Sequence, residues 1–159
     1  MERIILSSHE QYIEILKRIK SSARFVEIVI PYGDSPNDAL IISLKPFLLE
    51  TKKVWEWTGT ISKGTASTLY RYSSDDALFQ YLNEYDSFFI NVPLRNSPDD
   101  FIYINDDILR WQMVYTSFGN KDIAFLDENN DVLFYTTTHE GDAFINENFE
   151  FVVGGIGNS

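Results

Sequence analysis

Ile123-Ala124-Phe125-Leu126-Asp127-Glu128-Asn129-Asn130-Asp131-Val132-Leu133-Phe134-Tyr135-Thr136-Thr137-Thr138 is the stretch on which the fold class turns. Two runs rich in apolar, aromatic and β-branched residues flank a polar tip. Asn and Asp tolerate the positive φ that tight turns require. Ile123–Leu126 and Val132–Thr138 are therefore expected to pair as an antiparallel hairpin, with Glu128-Asn129-Asn130-Asp131 at the tip.

Toward the N-terminus, Phe101–Ile104 reads as a short strand and Asn105-Asp106-Asp107 as a helix cap. Residues 108–113 fit helical and strand periodicity about equally. The segment Pro93–Asp100 is loop chemistry, and Ser87–Val92 is an apolar strand that Pro93 ends. Ser73-Ser74-Asp75-Asp76 opens a helix with a hydroxyl cap and carries Leu78, Phe79 and Leu82 inward. Lys53–Thr60 and Thr65–Tyr72 read as a strand pair joined through Ser62-Lys63-Gly64. Trp55 and Trp57 share a face of the first strand and are expected in the core.

Further upstream, Phe25–Ile30 is an apolar run broken only by Glu27 and stopped by Pro31, the pattern of a buried strand. Ser35 with Pro36 is expected to cap a helix holding Leu40, Ile41 and Leu44, which ends or kinks before Pro46. A helical turn is expected to continue through Phe47-Leu48-Leu49. Ser7 and Glu10 form a capping box ahead of Tyr12, Ile15, Leu16 and Ile19, the stripe of an amphipathic helix. Lys17, Arg18 and Lys20 end that helix, where cations complement its dipole. Downstream of the hairpin, Phe144-Ile145 and Phe149–Val153 are expected as edge strands, and residues 154–159 as a flexible C-terminal tail.

Hairpin-linked strands mixed with helices, without regular βαβ alternation, give an α+β reading. It is a single domain over residues 1–153, a mostly antiparallel sheet with about three helices packed on one face. A chain of 159 residues suits one domain with a real core.

Charge is distributed unevenly. Residues 1–64 carry nine Lys/Arg against eight Asp/Glu, whereas residues 65–159 carry four against sixteen. The net charge is −11, yet aromatics make up 15% of the chain, so this is not the composition of an acidic disordered segment. Such a surface repels phosphate backbones and anionic lipid, which argues against nucleic acid and membrane as partners. Lys52, Lys53, Trp55, Trp57 and Lys63 mix cations with aromatics, but the whole-chain charge opposes nucleic-acid binding there. Cysteine is absent, which removes disulfides, thiolate metal sites and a cysteine nucleophile. With no apolar run long enough for a signal peptide or a membrane helix, a soluble cytoplasmic protein is expected.

Motifs for chemistry are sparse. His139, Glu140 and Asp142 have the side chains of acid–base or metal chemistry. On a strand, His139 would share a face with Gly141 and lie opposite Glu140 and Asp142, so the three converge only through a turn. Ala143 stands where a zinc-protease helix needs its second His. The 127–131 tip lacks the Gly and Glu of a calcium loop: Val132 and Thr138 occupy those positions. There is no nucleophile elbow, and the Gly154-Gly155-Ile156-Gly157 run has no helix after it.

What remains is acidic clusters among aromatics, the composition of a protein interface. Asp99, Asp100, Tyr103, Asp106, Asp107, Trp111, Glu128 and Asp131 are the expected partner-binding residues. The expected function is a non-enzymatic, cofactor-free binding protein, monomeric or homodimeric. Its most concrete form is a bacterial immunity or antitoxin protein that occludes a basic partner such as a nuclease toxin. The alternatives are a small enzyme using His139 with Glu140 or Asp142, and an assembly domain that dimerises through an edge strand of the C-terminal hairpin.

Overall fold

Antiparallel pairing dominates the chain, because nearly every strand finds its neighbour through a hairpin or across the central strand. The computed structural model describes residues 1–4, 9–84, 121–137 and 142–147. In chain order the elements are β1 (Glu2–Ile4), α1 (His9–Ile19), β2 (Phe25–Ile30), α2 (Ala39–Ser43), a 3-10 turn (Lys45–Phe47) and β3 (Leu48–Val54). They continue with β4 (Glu56–Trp57), β5 (Thr60–Ile61), β6 (Ser67–Ser73), α3 (Asp76–Glu84), β7 (Asp122–Leu126), β8 (Val132–Thr137) and β9 (Asp142–Ile145). The expectations for Ser7, for residues 85–120 and for residues 148–159 lie outside the described residues.

Seven strands form one sheet in the order β1-β9-β8-β7-β2-β6-β3, and β4 and β5 form a separate ribbon. The α+β reading with a mostly antiparallel sheet therefore holds. On β2, Val26 lies opposite Tyr72 and Phe125, and Ile28 opposite Tyr70 and Ile123. Side chains alternate along a strand, so these residues share a face. They belong to one buried cluster with Tyr12, Ile15, Leu16 and Ile19 of α1, Leu40, Ile41 and Leu44 at α2, and Leu78, Phe79 and Leu82 of α3. Phe125 stacks on both Phe79 and Phe134 with ring centroids 5.9 Å apart. Burying each large apolar side chain contributes about 1.5–3 kcal/mol.

Several local expectations are corrected. The cap of α2 is Asp38, not Ser35: its carboxylate accepts from the Leu40 amide at 2.9 Å. At α3 the acceptor for the Ala77 amide is Asp75 at 2.8 Å, while Ser73 closes β6. In both cases a charged acceptor stands where the hydroxyl was expected, and a carboxylate also complements the helix dipole. The helical turn through Leu48-Leu49 is absent, because β3 starts at Leu48 and pairs with β6. Phe144-Ile145 belongs to β9, which lies inside the sheet because β1 pairs on its outer side, Arg3 opposite Phe144. Neither strand of the C-terminal hairpin is an edge, so assembly through that hairpin has no free ladder to use.

The tryptophans also separate. β3 ends at Val54, Trp55 sits at a bend, and the β4–β5 ribbon folds across the sheet. Trp57 joins a second small cluster with Val29 and Leu69, on the face opposite Ile28 and Tyr70. Its indole N–H donates to the buried Asp122 carboxylate at 2.9 Å. The ribbon turn reaches β8: a Cβ at Gly59, whose φ is +80°, would lie 2.6 Å from the Tyr135 ring. Trp55 instead is 55% exposed. Trp57→Ala is therefore expected to lower the unfolding free energy by about 3–5 kcal/mol. Trp55→Ala should change it by less than about 0.5 kcal/mol, both read from urea denaturation.

Candidate functional site

The tip between β7 and β8 is built by one side chain. Asp127 accepts from the amides of Asn129 at 2.8 Å and Asp131 at 3.0 Å, closing an Asx-type turn. Backbone bonds between Asp127 and both Asn130 and Asp131 reinforce it. Asn130 takes φ +65°, the left-handed conformation for which Asn is suited. This geometry leaves Glu128 and Asp131 exposed, and neither forms an ion pair among the described residues.

The tip is also tied to the sheet. Arg71 on β6 reaches across β2, donating to Glu27 at 2.7 Å and to the Asn130 side-chain carbonyl. Its guanidinium lies 4.0 Å above the Phe25 ring. Sequence reasoning named Glu128 and Asp131 but missed Arg71, which is 59 residues from Asn130. The available signal was Glu27, a lone charge in a buried apolar run that needs a counter-ion.

Of the other expected binding residues, Asp99, Asp100, Tyr103, Asp106, Asp107 and Trp111 lie outside the described residues. So do His139 and Glu140. Asp142 of β9 is paired with Arg3 at 2.8 Å, which engages the third member of that triplet. Among the described residues no group of three or more His, Cys, Asp or Glu side chains could hold a metal ion. No helix among them is long and apolar enough to cross a membrane.

A second polar cluster lies where the chain leaves β2. Tyr32 adopts φ +57°, a strained conformation for a bulky side chain. Hydroxyls of β6 hold it in place: Ser67 accepts from the Tyr32 amide at 2.8 Å, and Thr68 donates to the Gly33 carbonyl at 2.6 Å. Lys53 donates to Thr68 at 2.7 Å, Tyr70 to Asp34 at 2.5 Å, and Lys121 to Asp38 at 3.0 Å. Beside this cluster runs a groove of about 300 Å³ lined by Pro36, Asn37, Ile41, Ile42, Lys45, Leu48 and Tyr70. Both carboxylates are already bound to a phenol or an ammonium, so the cluster anchors the loop. In the sequence Pro31 ends the strand before this loop, but nothing there signals that β6 tethers it.

Comparison of the chain with protein-family models, with curated proteins and with solved structures finds no match.

Three phenols resist ionisation. Burial raises the pKa of Tyr12 well above its usual value. Burial and then the hydrogen bond to Asp34 raise Tyr70, and burial and then the nearby Tyr70 raise Tyr72. The folded state thus holds these protons to higher pH than the unfolded chain, whose tyrosines titrate near 10. Their contribution to stability is complete below about pH 10 and is lost as pH rises further. At pH 10.5, absorbance at 295 nm should show at least three of the nine tyrosines protonated in the native protein and ionising when urea unfolds it. Equal tyrosinate signals in the two states would contradict this.

Proposed function

We propose that the protein is a non-enzymatic acidic binding protein that occludes a basic partner protein, in its most concrete form a bacterial immunity or antitoxin-type inhibitor of a nuclease toxin. The observation that carries this reading is the β7–β8 tip, where Glu128 and Asp131 are exposed on a turn that Asp127 and Arg71 hold in shape. Six cations, by contrast, are already matched within the fold: Arg3, Arg18, Lys20, Lys52, Arg71 and Lys121 each pair with a carboxylate. Glu128 and Asp131 are therefore left to act outward.

The mechanism is competition. A nuclease groove that binds phosphates is cationic, and fixed carboxylates entering it displace the substrate while steering the encounter. Such steering raises association rates about 10–1,000-fold and falls steeply with ionic strength. Asp99, Asp100, Asp106 and Asp107, with Tyr103 and Trp111 as aromatic anchors, complete the proposed surface. The three helices would form one layer on the Val26–Ile28–Ile30 face, leaving hairpin tips and loops for the partner. Its proposed site of action is the cytoplasm.

The test is stopped-flow association with candidate basic nuclease domains, at about 20 and about 200 mM salt. Binding should slow steeply with salt, and Glu128→Lys with Asp131→Lys should slow it about tenfold at the lower salt. No complex at the lower salt, or a rate indifferent to salt and to both substitutions, would overturn the reading.

A further inference from the structure

Among the described residues the sheet ends on one side in β3, whose ladder is shared with β6 alone. Leu48 to Lys53 are all exposed, and Val54 is half-buried. The opposite edge, β1, has three residues. β3 runs for seven residues, with a bulge between Leu48 and Glu50 and a regular ladder from Glu50 to Val54, and an open strand of this kind pairs with another chain unless something prevents it.

We propose that β3 is a self-docking edge, through which two copies of this chain pair antiparallel with Thr51 opposite Thr51 of the second copy. Symmetry leaves few registers. A two-fold axis perpendicular to the sheet must pass between a residue and its own copy, and the centres that keep most of β3 in the ladder are Glu50, Thr51 and Lys52. Centring on Glu50 sets two carboxylates against each other, and centring on Lys52 sets two ammoniums. Like charges directly opposite destabilise a ladder. Only the Thr51 centre places Glu50 opposite Lys52 of the second copy, twice over.

Glu50 and Lys52 already lie on one face of the strand, since their charged groups approach to 3.8 Å within one copy. Both are about half exposed, so docking redirects an existing weak pair across the interface and leaves neither Glu50 nor Lys52 without a counter-charge. The ends match as well. β3 is apolar at Leu48-Leu49 and again at Val54-Trp55, and antiparallel pairing brings each apolar end beside the other. Leu49 and Trp55 are 56% and 55% exposed in one copy. Ile42, beside Leu48, is 54% exposed as well. Lys52 and Lys53 act as guards in the wrong registers, so one pairing is selected over open-ended stacking.

Light scattering on the full chain over about 5–200 µM should give a mass rising toward twice 18.4 kDa. Glu50→Lys and Lys52→Glu should each weaken the dimer about tenfold or more, and the double swap E50K/K52E should restore it. Circular dichroism checks that these exposed substitutions leave the fold intact. Register has its own readout, because the chain has no cysteine. Thr51→Cys meets its own copy within disulfide range and should cross-link on mild oxidation. Lys53→Cys, whose mate is Leu49, should not. A monomer at every concentration, a dimer indifferent to both single substitutions, a swap that fails to rescue, or equal cross-linking at positions 51 and 53 would overturn the proposal.

Discussion

One carboxylate sets the terms for much of this molecule. Glu27 sits in the middle of β2, the strand that pairs with both β6 and β7. An uncompensated charge there would be costly, because partial burial removes the water that would otherwise solvate it. Arg71 answers it from β6, and with Glu27 satisfied the guanidinium still has donors to spare. It uses one on Asn130 and lays its plane over Phe25. A fork of fixed geometry can serve several partners in this way, which a lysine ammonium could not do equally well. The arginine that neutralises the central strand therefore also positions the acidic tip.

That coupling gives the charge asymmetry a physical form. The surplus carboxylates of the C-terminal part of the chain include some with purely local work. Asp75 caps a helix, Asp122 receives the Trp57 indole, Asp127 builds a turn, and Asp142 pairs with Arg3. Glu128 and Asp131 are different in that they are exposed and form no ion pair among the described residues. In the proposed reading such an acidic tip is organised in advance, so a basic partner would meet charges on a turn already held in shape. The N-terminal part contributes the opposite character, a strand with one Glu, two Lys and apolar ends.

Where two neighbouring signals agreed, the sequence could be read almost to the residue. Phe25–Ile30 has both an apolar run and a terminating proline, and β2 has those bounds. The stripe Tyr12, Ile15, Leu16 and Ile19 is buried as its spacing requires, and the hairpin pairs Phe125 with Phe134 around the anticipated tip. Illegible features depended on distant partners. Trp57 and Trp55 have the same local context, and only the ribbon's fold across Val29 and Leu69 separates them. β1 is three residues long and exists because β9 offers it a ladder. The loop at Tyr32 is held by β6 hydroxyls some 35 positions away. Arg71 belongs to the same class, since nothing near it in sequence announces Glu27 or Asn130.

The most direct measurement is a double-mutant cycle on Glu27 and Arg71, using Glu27→Gln, Arg71→Gln and the double variant in urea denaturation. The two side chains are 15% and 19% exposed and 2.7 Å apart, a geometry in which truncating either partner strands the other. The expected coupling energy is about 1–3 kcal/mol, with each single variant more damaging than its share of the double. A coupling below about 0.3 kcal/mol, the size expected of independent sites, would contradict the account.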